Sequence, residues 1–389
     1  MKTPTQVNHP PLVDVPADNH PLVAPIHQSV KFEFDTVGEA QRFFRGERAG
    51  FFYSRASNPT TRQLELSLAR LQQRDDAIVC GSGVGAMAAT LLSLLKRGDH
   101  VLSFLETYPP TRQLLARLLG KFGVRCTLLS IADLAGIERL LGETPTRAVV
   151  FESPTNPVLR VADITALTRL ARAHGALTIL DNTFAGPHQH GTFDIDLYTH
   201  SLTKFVAGHG DVLGGAVIGR RELIDALRPD FTLVGGTLDP HAAFLAQRGL
   251  KTYHLRYRAQ SASALHIAAW LAASPAVERV RYPGLPGDRG HALAALQMQD
   301  FGAVLCIDLR GGAEAGLRFA EALKLFAIAG SLGSTESLVI PPQLLGHRDL
   351  SPEQRAAAGL GPGTVRLSIG IEDVDDLLAD LQQALAAST

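Results

Sequence analysis

A mostly parallel β-sheet covered by helices on both faces, followed by a smaller C-terminal α/β unit, is the fold class predicted for this 389-residue chain. Two observations carry it. Short apolar runs alternate with amphipathic ones from residue 59 to residue 181, and a separate group of strand-like and helix-like runs occupies 304–386. Strands separated by helix-length segments are joined by crossovers rather than hairpins, so they lie parallel and the helices cover the sheet.

Residues 1–50 carry Pro4, Pro10, Pro11, Pro16, Pro21 and Pro25 with little periodicity, which predicts an extended arm contacting a neighbouring subunit rather than a core element. From 59 to 74, Leu64, Leu68 and Leu71 recur at helical spacing; 77–80 is a short apolar strand running into glycines, and a helix follows at 86–95. Strands are then expected at 101–105, 125–130, 148–152 and 177–181, and helices at 111–122, 132–141 and 163–174. These elements belong to a large unit, 51–250. Residues 240–273 read as mostly helical and lead into the smaller unit, 251–389, with strands at 304–309 and 365–370 and helices at 313–323 and 374–386.

Composition limits the function. No apolar stretch reaches the roughly 18 residues a spanning helix needs, and the polar, proline-rich start is not a leader, so a membrane partner is not expected and the protein is predicted to be cytoplasmic. Lys and Arg number 37 against 38 acidic residues, which leaves no surplus charge for a nucleic-acid backbone. Cys80, Cys126 and Cys306 are widely separated, which suits a reducing compartment and core positions rather than disulfides or zinc.

The chemistry centres on Lys204, in the run His200-Ser201-Leu202-Thr203-Lys204-Phe205-Val206-Ala207-Gly208, and on Asp181, at the end of the preceding apolar run. A lysine amine that condenses with an aldehyde, and a carboxylate that keeps a pyridine nitrogen protonated, are what a pyridoxal 5'-phosphate (PLP) site requires. Either residue alone reads more simply as a surface lysine and a strand-ending aspartate.

Gly81-Ser82-Gly83-Val84-Gly85-Ala86 follows a strand and opens a helix, where backbone N–H groups and the helix dipole can receive a phosphate. It also matches a dinucleotide fingerprint, with Glu106 placed for a ribose, so an NAD-dependent oxidoreductase is the competing reading. Ser201 and Thr203, at alternate positions, are expected to present both hydroxyls to one side of an extended segment. His188-Gln189-His190, with His200, is conceivable as a metal site but has no carboxylate or cysteine at ligand spacing, so no metal is predicted. His209 reads as a packing or hydrogen-bonding residue.

With Tyr53-Ser54-Arg55 before these motifs and Glu152-Ser153-Pro154-Thr155-Asn156-Pro157, Ser331-Leu332-Gly333 and Arg366-Leu367-Ser368 among and after them, the chain resembles the PLP-dependent Cys/Met metabolism (trans-sulfuration) enzymes from about residue 25 to its end. The resemblance implies PLP-dependent fold type I, aspartate aminotransferase-like. It implies that Tyr53 and Arg55 hold the cofactor phosphate in a neighbouring subunit's site, giving a homo-oligomer, a tetramer built from dimers with shared active sites. Gly83 and Val84 match the phosphate cradle, completed by Ser201 and Thr203. Tyr108 matches the tyrosine over the cofactor ring that can move a proton, Asn156 an amide near the cofactor and the substrate carboxylate, and Asp181 the partner of the pyridine nitrogen. Lys204 matches the lysine that carries the cofactor. Ser331 and Arg366 match the substrate end, with the Arg366 fork suited to an α-carboxylate.

The expected reaction is a carbon–sulfur lyase acting by β- or γ-elimination on cystathionine, methionine or a related amino acid; the alternative is γ-replacement, as in cystathionine gamma-synthase or O-acylhomoserine sulfhydrylase. Phe52 and Gly330 stand where the cystathionine enzymes usually carry acidic residues, which removes partners for a distal ammonium. Pro109-Pro110 replaces a more usual glycine pair, removing two amide donors after Tyr108.

Overall fold

The computed structural model describes residues 18–388. The proline-rich start of the expected arm lies outside the described residues.

The larger sheet has seven strands: β1 (Asp76–Cys80), β2 (His100–Phe104), β3 (Arg125–Leu129), β4 (Ala148–Glu152), β5 (Leu177–Asp181), β6 (Leu197–Ser201) and β7 (Gly215–Gly219), in the order β1-β7-β6-β5-β4-β2-β3. All run parallel except β7, which is antiparallel to β1 and β6. The predicted mostly parallel α/β fold is therefore present. Neither β6 nor β7 was expected. β6 reads Leu-Tyr-Thr-His-Ser, with polar side chains that are buried, and β7 is a three-residue apolar core between glycines. Propensity sees neither as a strand; their neighbours in the sheet make them so.

Four of the predicted helices begin on a side chain that accepts a free backbone N–H. Asn58 accepts from Thr60, Ser82 from Gly85, Asp133 from Gly136 and Asp163 from Ala166. Such caps contribute about 1 kcal/mol each. The expected helix at 111–122 is broken: an α-helical Pro109–Gln113 runs through a π-helical turn, Leu114–Leu118, into a 3₁₀ turn, Leu119–Phe122, that ends on Gly123 at φ 80°. Gly123 supplies the left-handed conformation that stops it.

Strand alternation divides the core. Ile78, Val101, Val150, Ile179 and Val217 face Met87, Leu91, Ile224 and Leu227 on one side. On the other, Leu102, Phe151, Leu180 and Tyr198 meet Leu64, Leu68, Ile137 and Leu167. Each fully buried aliphatic side chain contributes about 1.5–3 kcal/mol of transfer free energy. Burial on both faces is what a parallel sheet requires.

The second sheet, β10-β11-β12-β9-β8, comprises β8 (Val277–Arg281), β9 (Val304–Leu309), β10 (Ala327–Ile328), β11 (Leu338–Ile340) and β12 (Thr364–Ser368). It packs on the helices Gly312–Ala322 and Val374–Ser388 around Phe319, Leu367 and Leu381. The helix Pro240–Ala272 spans both units: Ala243 and Ala246 lie in the large-sheet core, Ala264 and Ile267 in that of the small sheet. Residue 250, where the sequence places the change between units, lies within it. Within the arm, Val37–Phe44 is a helix the sequence reading did not foresee, capped by Thr36 and with no buried residue.

Candidate active site

The carboxyl ends of β4, β5 and β6 open into a cleft of about 530 Å³, a size suited to a cofactor and a small substrate, where the two units meet. Topology delivers the key groups there. Glu152 ends β4, Asp181 ends β5 directly opposite it in register, and Lys204 sits in the turn after β6. The long helix holds that turn from behind. Arg256 donates from both terminal nitrogens to the Phe205 carbonyl at 3.1 Å, and Gly249 is packed so tightly that a Cβ would lie 2.3 Å from the Ala207 oxygen.

Lys204 Nζ donates to Ser331 Oγ at 2.7 Å. No carboxylate lies within ion-pair distance of it among the described residues. Burial, followed by the positive charge of Arg366 and opposed by Asp181, lowers its pKa to about 8, so a substantial fraction of the amine is neutral near physiological pH. Ser331 sits at φ 104°, unusual for a residue with a Cβ, which marks a backbone held for a purpose.

Asp181 Oδ1 accepts from the Thr183 hydroxyl at 2.6 Å and the Thr183 amide at 3.1 Å. Burial raises its pKa, against the lowering effect of those bonds and of Lys204. Among the described residues no cation reaches it within ion-pair distance. A carboxylate in this setting fits a protonated heteroaromatic nitrogen.

Ser82 caps the helix Gly83–Leu94, whose amino end presses on β6: a Cβ at Gly83 would lie 2.7 Å from the Ser201 Cβ. Gly215 is equally constrained, with its Cβ position 2.0 Å from the Ser82 carbonyl oxygen. Val84, Ser201 and Thr203 line the same cleft. The expectation that Ser201 and Thr203 alternate along one extended segment needs correction. Ser201 ends β6, whereas Thr203 lies in the following turn and accepts from the Gly214 amide at 3.1 Å. A turn, not a strand period, brings both hydroxyls to the cleft.

At the opposite end, Arg366 on β12 donates to Asn156 Oδ1 at 2.9 Å and to the Ser331 carbonyl at 2.6 Å. It is only 6% exposed, and its Nε has no partner. Burial lowers its pKa, yet arginine stays charged and no carboxylate neutralises it among the described residues. A buried guanidinium with no acidic partner has the chemistry to take a planar carboxylate.

Tyr108 is the N-cap of Pro109–Gln113, so Pro109 and Pro110 occupy the first helical positions, where no N–H is needed. The loop accepts them without strain. The Tyr108 phenol is partly exposed to the cleft, and its pKa is raised by burial and then by Glu152.

Tyr53 and Arg55 do not line this cleft. They stack on one another at the surface, with the Arg55 guanidinium 5.6 Å from the Tyr53 ring centroid. The histidines are engaged elsewhere. His188 meets the Tyr253 hydroxyl, His190 meets Asn182, His200 meets Gln72, and His209 meets the Ala207 carbonyl. Burial lowers His188 to about 4 and His190 and His200 to about 3, so all three are neutral.

The dinucleotide alternative fails on geometry. Glu106 is buried and accepts from Ser130 Oγ, the Ile131 amide and Arg160, leaving nothing for a ribose. β1, which leads into the glycines, is an edge strand beside antiparallel β7 rather than a strand at a topological switch point. The residues present instead fit PLP: a reactive amine, an anion awaiting a cationic ring nitrogen, and a glycine-tight helix amino end.

Two residues of the site carried no role in the sequence reading. Thr183 bonds Asp181 and also accepts from the Ser201 amide at 2.9 Å, joining two strand ends. Glu152 accepts from the amides of Tyr108 and Asn156. A carboxylate ending an apolar run, as at Asp181, was the available signal for Glu152.

The family model for Cys/Met metabolism PLP-dependent enzymes matches residues 13–386. The chain is 43% identical over 374 residues to L-methionine gamma-lyase of Pseudomonas putida, covering 94% of this chain and 93% of the other. It is 39% identical over 358 residues to O-succinylhomoserine sulfhydrylase of Pseudomonas aeruginosa, covering 92% and 89% respectively. Among solved structures, cystathionine gamma synthase of Xanthomonas oryzae pv. oryzae, in complex with aminoacrylate and cysteine, superposes with a TM-score of 0.88 at 36% identity, covering 94% of this chain and 92% of that one.

Proposed function

The chain belongs to the Cys/Met metabolism PLP-dependent enzyme family, and from that premise we propose that it is a carbon–sulfur lyase eliminating a thiol from the γ-carbon of methionine or a similar apolar thioether amino acid. One observation carries the choice. Among the described residues the only carboxylates lining the cleft are Glu152 and Asp181, one committed to backbone amides and the other to Thr183, while Leu213, Ile340 and Leu344 supply apolar wall. Gly330 stands in that wall with nothing within 4 Å of its Cβ position. A second ammonium, as in cystathionine, would lose water there without gaining an anion.

Bound PLP supplies an electron sink conjugated to the substrate Cα. Lys204 would hold it, and its amine would take the Cα proton on Nζ and move a proton at Cβ; the lowered pKa suits an amine that must be neutral to act as a base. Asp181 keeps the ring nitrogen protonated. Arg366, oriented by Asn156, binds the α-carboxylate and so fixes which Cα bond faces Lys204. The Tyr108 hydroxyl gives the departing sulfur its proton. Gly83, Val84, Ser201 and Thr203 receive the phosphate, with Tyr53 and Arg55 of a neighbouring copy completing the site. That surface position of Tyr53 and Arg55 supports a tetramer built from dimers with shared sites, and we place the enzyme in the cytoplasm.

The test is to offer methionine, cystathionine, and O-acylhomoserine with a thiol, measuring 2-oxobutanoate, methanethiol and thioether. The reading expects 2-oxobutanoate and methanethiol from methionine in equal amounts. Thioether formation without 2-oxo acid would establish the replacement reaction instead.

A further inference from the structure

Glu152 is 4% exposed and ends β4 beneath the cleft. Its Oε1 accepts from the Tyr108 amide at 2.6 Å, and its Oε2 from the Asn156 amide at 3.3 Å. Those two residues stand at opposite ends of the reaction. Tyr108 faces the leaving group, while Asn156 holds Arg366 at 2.9 Å and thereby the substrate carboxylate. Pro109 and Pro110 have no N–H, so the Tyr108 amide is the last donor before the helix begins, and Glu152 is where it bonds.

We propose that Glu152 is a positioning residue that fixes Tyr108 and Asn156 relative to one another, and through Asn156 fixes Arg366. This rests on the lyase reading only for its kinetic consequences. One carboxyl with two acceptor oxygens bridges the Tyr108 and Asn156 backbones directly, beside the Arg160–Glu106 pair that ties the same two segments farther from the cleft; an amide at that place offers one acceptor and one donor, so it keeps one bond and opposes the other. Burial, and then the neighbouring charge of Asp181, pushes the Glu152 carboxyl well above its ordinary range, and the two backbone N–H donors oppose that shift.

The experiment has two arms on the PLP-loaded protein. Hydrogen exchange at the Tyr108 and Asn156 amides is followed in wild type and E152Q without substrate, so failure of the lyase reading leaves this arm intact. The expected result is strong protection in wild type and at least about tenfold faster exchange of one or both amides in E152Q, with the core strands unchanged. The second arm is a double-mutant cycle of E152Q with Y108F and with R366K, read as kcat and KM separately. A positioning role predicts that E152Q costs much less kcat in the Y108F background, and much less KM in the R366K background, than in wild type. Additive costs, or unchanged exchange in E152Q, would overturn the proposal. If E152Q does not fold, wild-type exchange decides: protection of both amides upholds it, and exchange as fast as that of exposed loops overturns it.

Discussion

Lys204 and Ser331 lie 127 positions apart in sequence, yet the amine of one donates to the hydroxyl of the other at 2.7 Å. The contact joins the turn after β6 to the smaller unit. It leaves Lys204 without a counter-ion, which is the condition under which burial can bring its pKa down to about 8.

Replacing Lys204 tests the centre of the site. K204A should lower 2-oxo acid production by about 10³-fold or more, the scale expected when a nucleophile is removed. Borohydride reduction followed by peptide mapping should label residue 204 in wild type and nothing in the variant. A labelled peptide elsewhere would reassign the cofactor lysine.

The lowered lysine pKa sets a pH dependence for cofactor uptake. A neutral amine is needed to attack the aldehyde, and its fraction rises about tenfold per pH unit below the pKa and levels off above it. Reconstitution of apoprotein with PLP should therefore accelerate up to about pH 8 and then reach a plateau. Because Arg366 contributes to the lowering, R366L should move the plateau to higher pH; stopped-flow absorbance reads both.

Arg366 is buried with an unpaired Nε, so its loss would remove the proposed carboxylate receptor rather than a surface charge. R366L should reduce kcat/KM for methionine by about 10²–10³-fold, the cost of deleting one side of a buried charge-assisted pair. R366K, which keeps charge and loses the fork, should fall between. Steady-state kinetics that show no change in KM would remove Arg366 from the binding role.

Gly330 has open space at its Cβ position. Glutamate there should supply the anion the wall lacks, so G330E should raise kcat/KM for cystathionine relative to methionine by about tenfold, one well-placed ion pair in a partly enclosed site. An unchanged ratio would show that the distal group lies elsewhere.

Shared sites predict subunit complementation. R55A and K204A should each be nearly inactive; mixed during refolding, they should recover roughly a quarter of wild-type activity, because half the C₂ dimers are hybrids carrying one intact site. No recovery would separate Arg55 from the neighbour's site.

Local chemistry made much of this protein readable from its sequence. Apolar period and glycines located β1 to β5 and most of their helices, because each depends on neighbours a few residues away. Lys204, Asp181 and the Gly81–Ala86 run pointed to PLP, the family's cofactor, because an amine, a carboxylate and a close-approach glycine have few joint uses. Tertiary structure decided the rest. β6 and β7 became strands through pairing partners distant in sequence, and Thr203 reached the cleft by a turn that no period predicts. Glu152 acquired a role only when β4 and β5 aligned it beside Asp181 and beneath Tyr108. Arg366 suits the proposed carboxylate-binding role because burial stripped its water without offering an acid in return, a balance set by packing rather than by residue type.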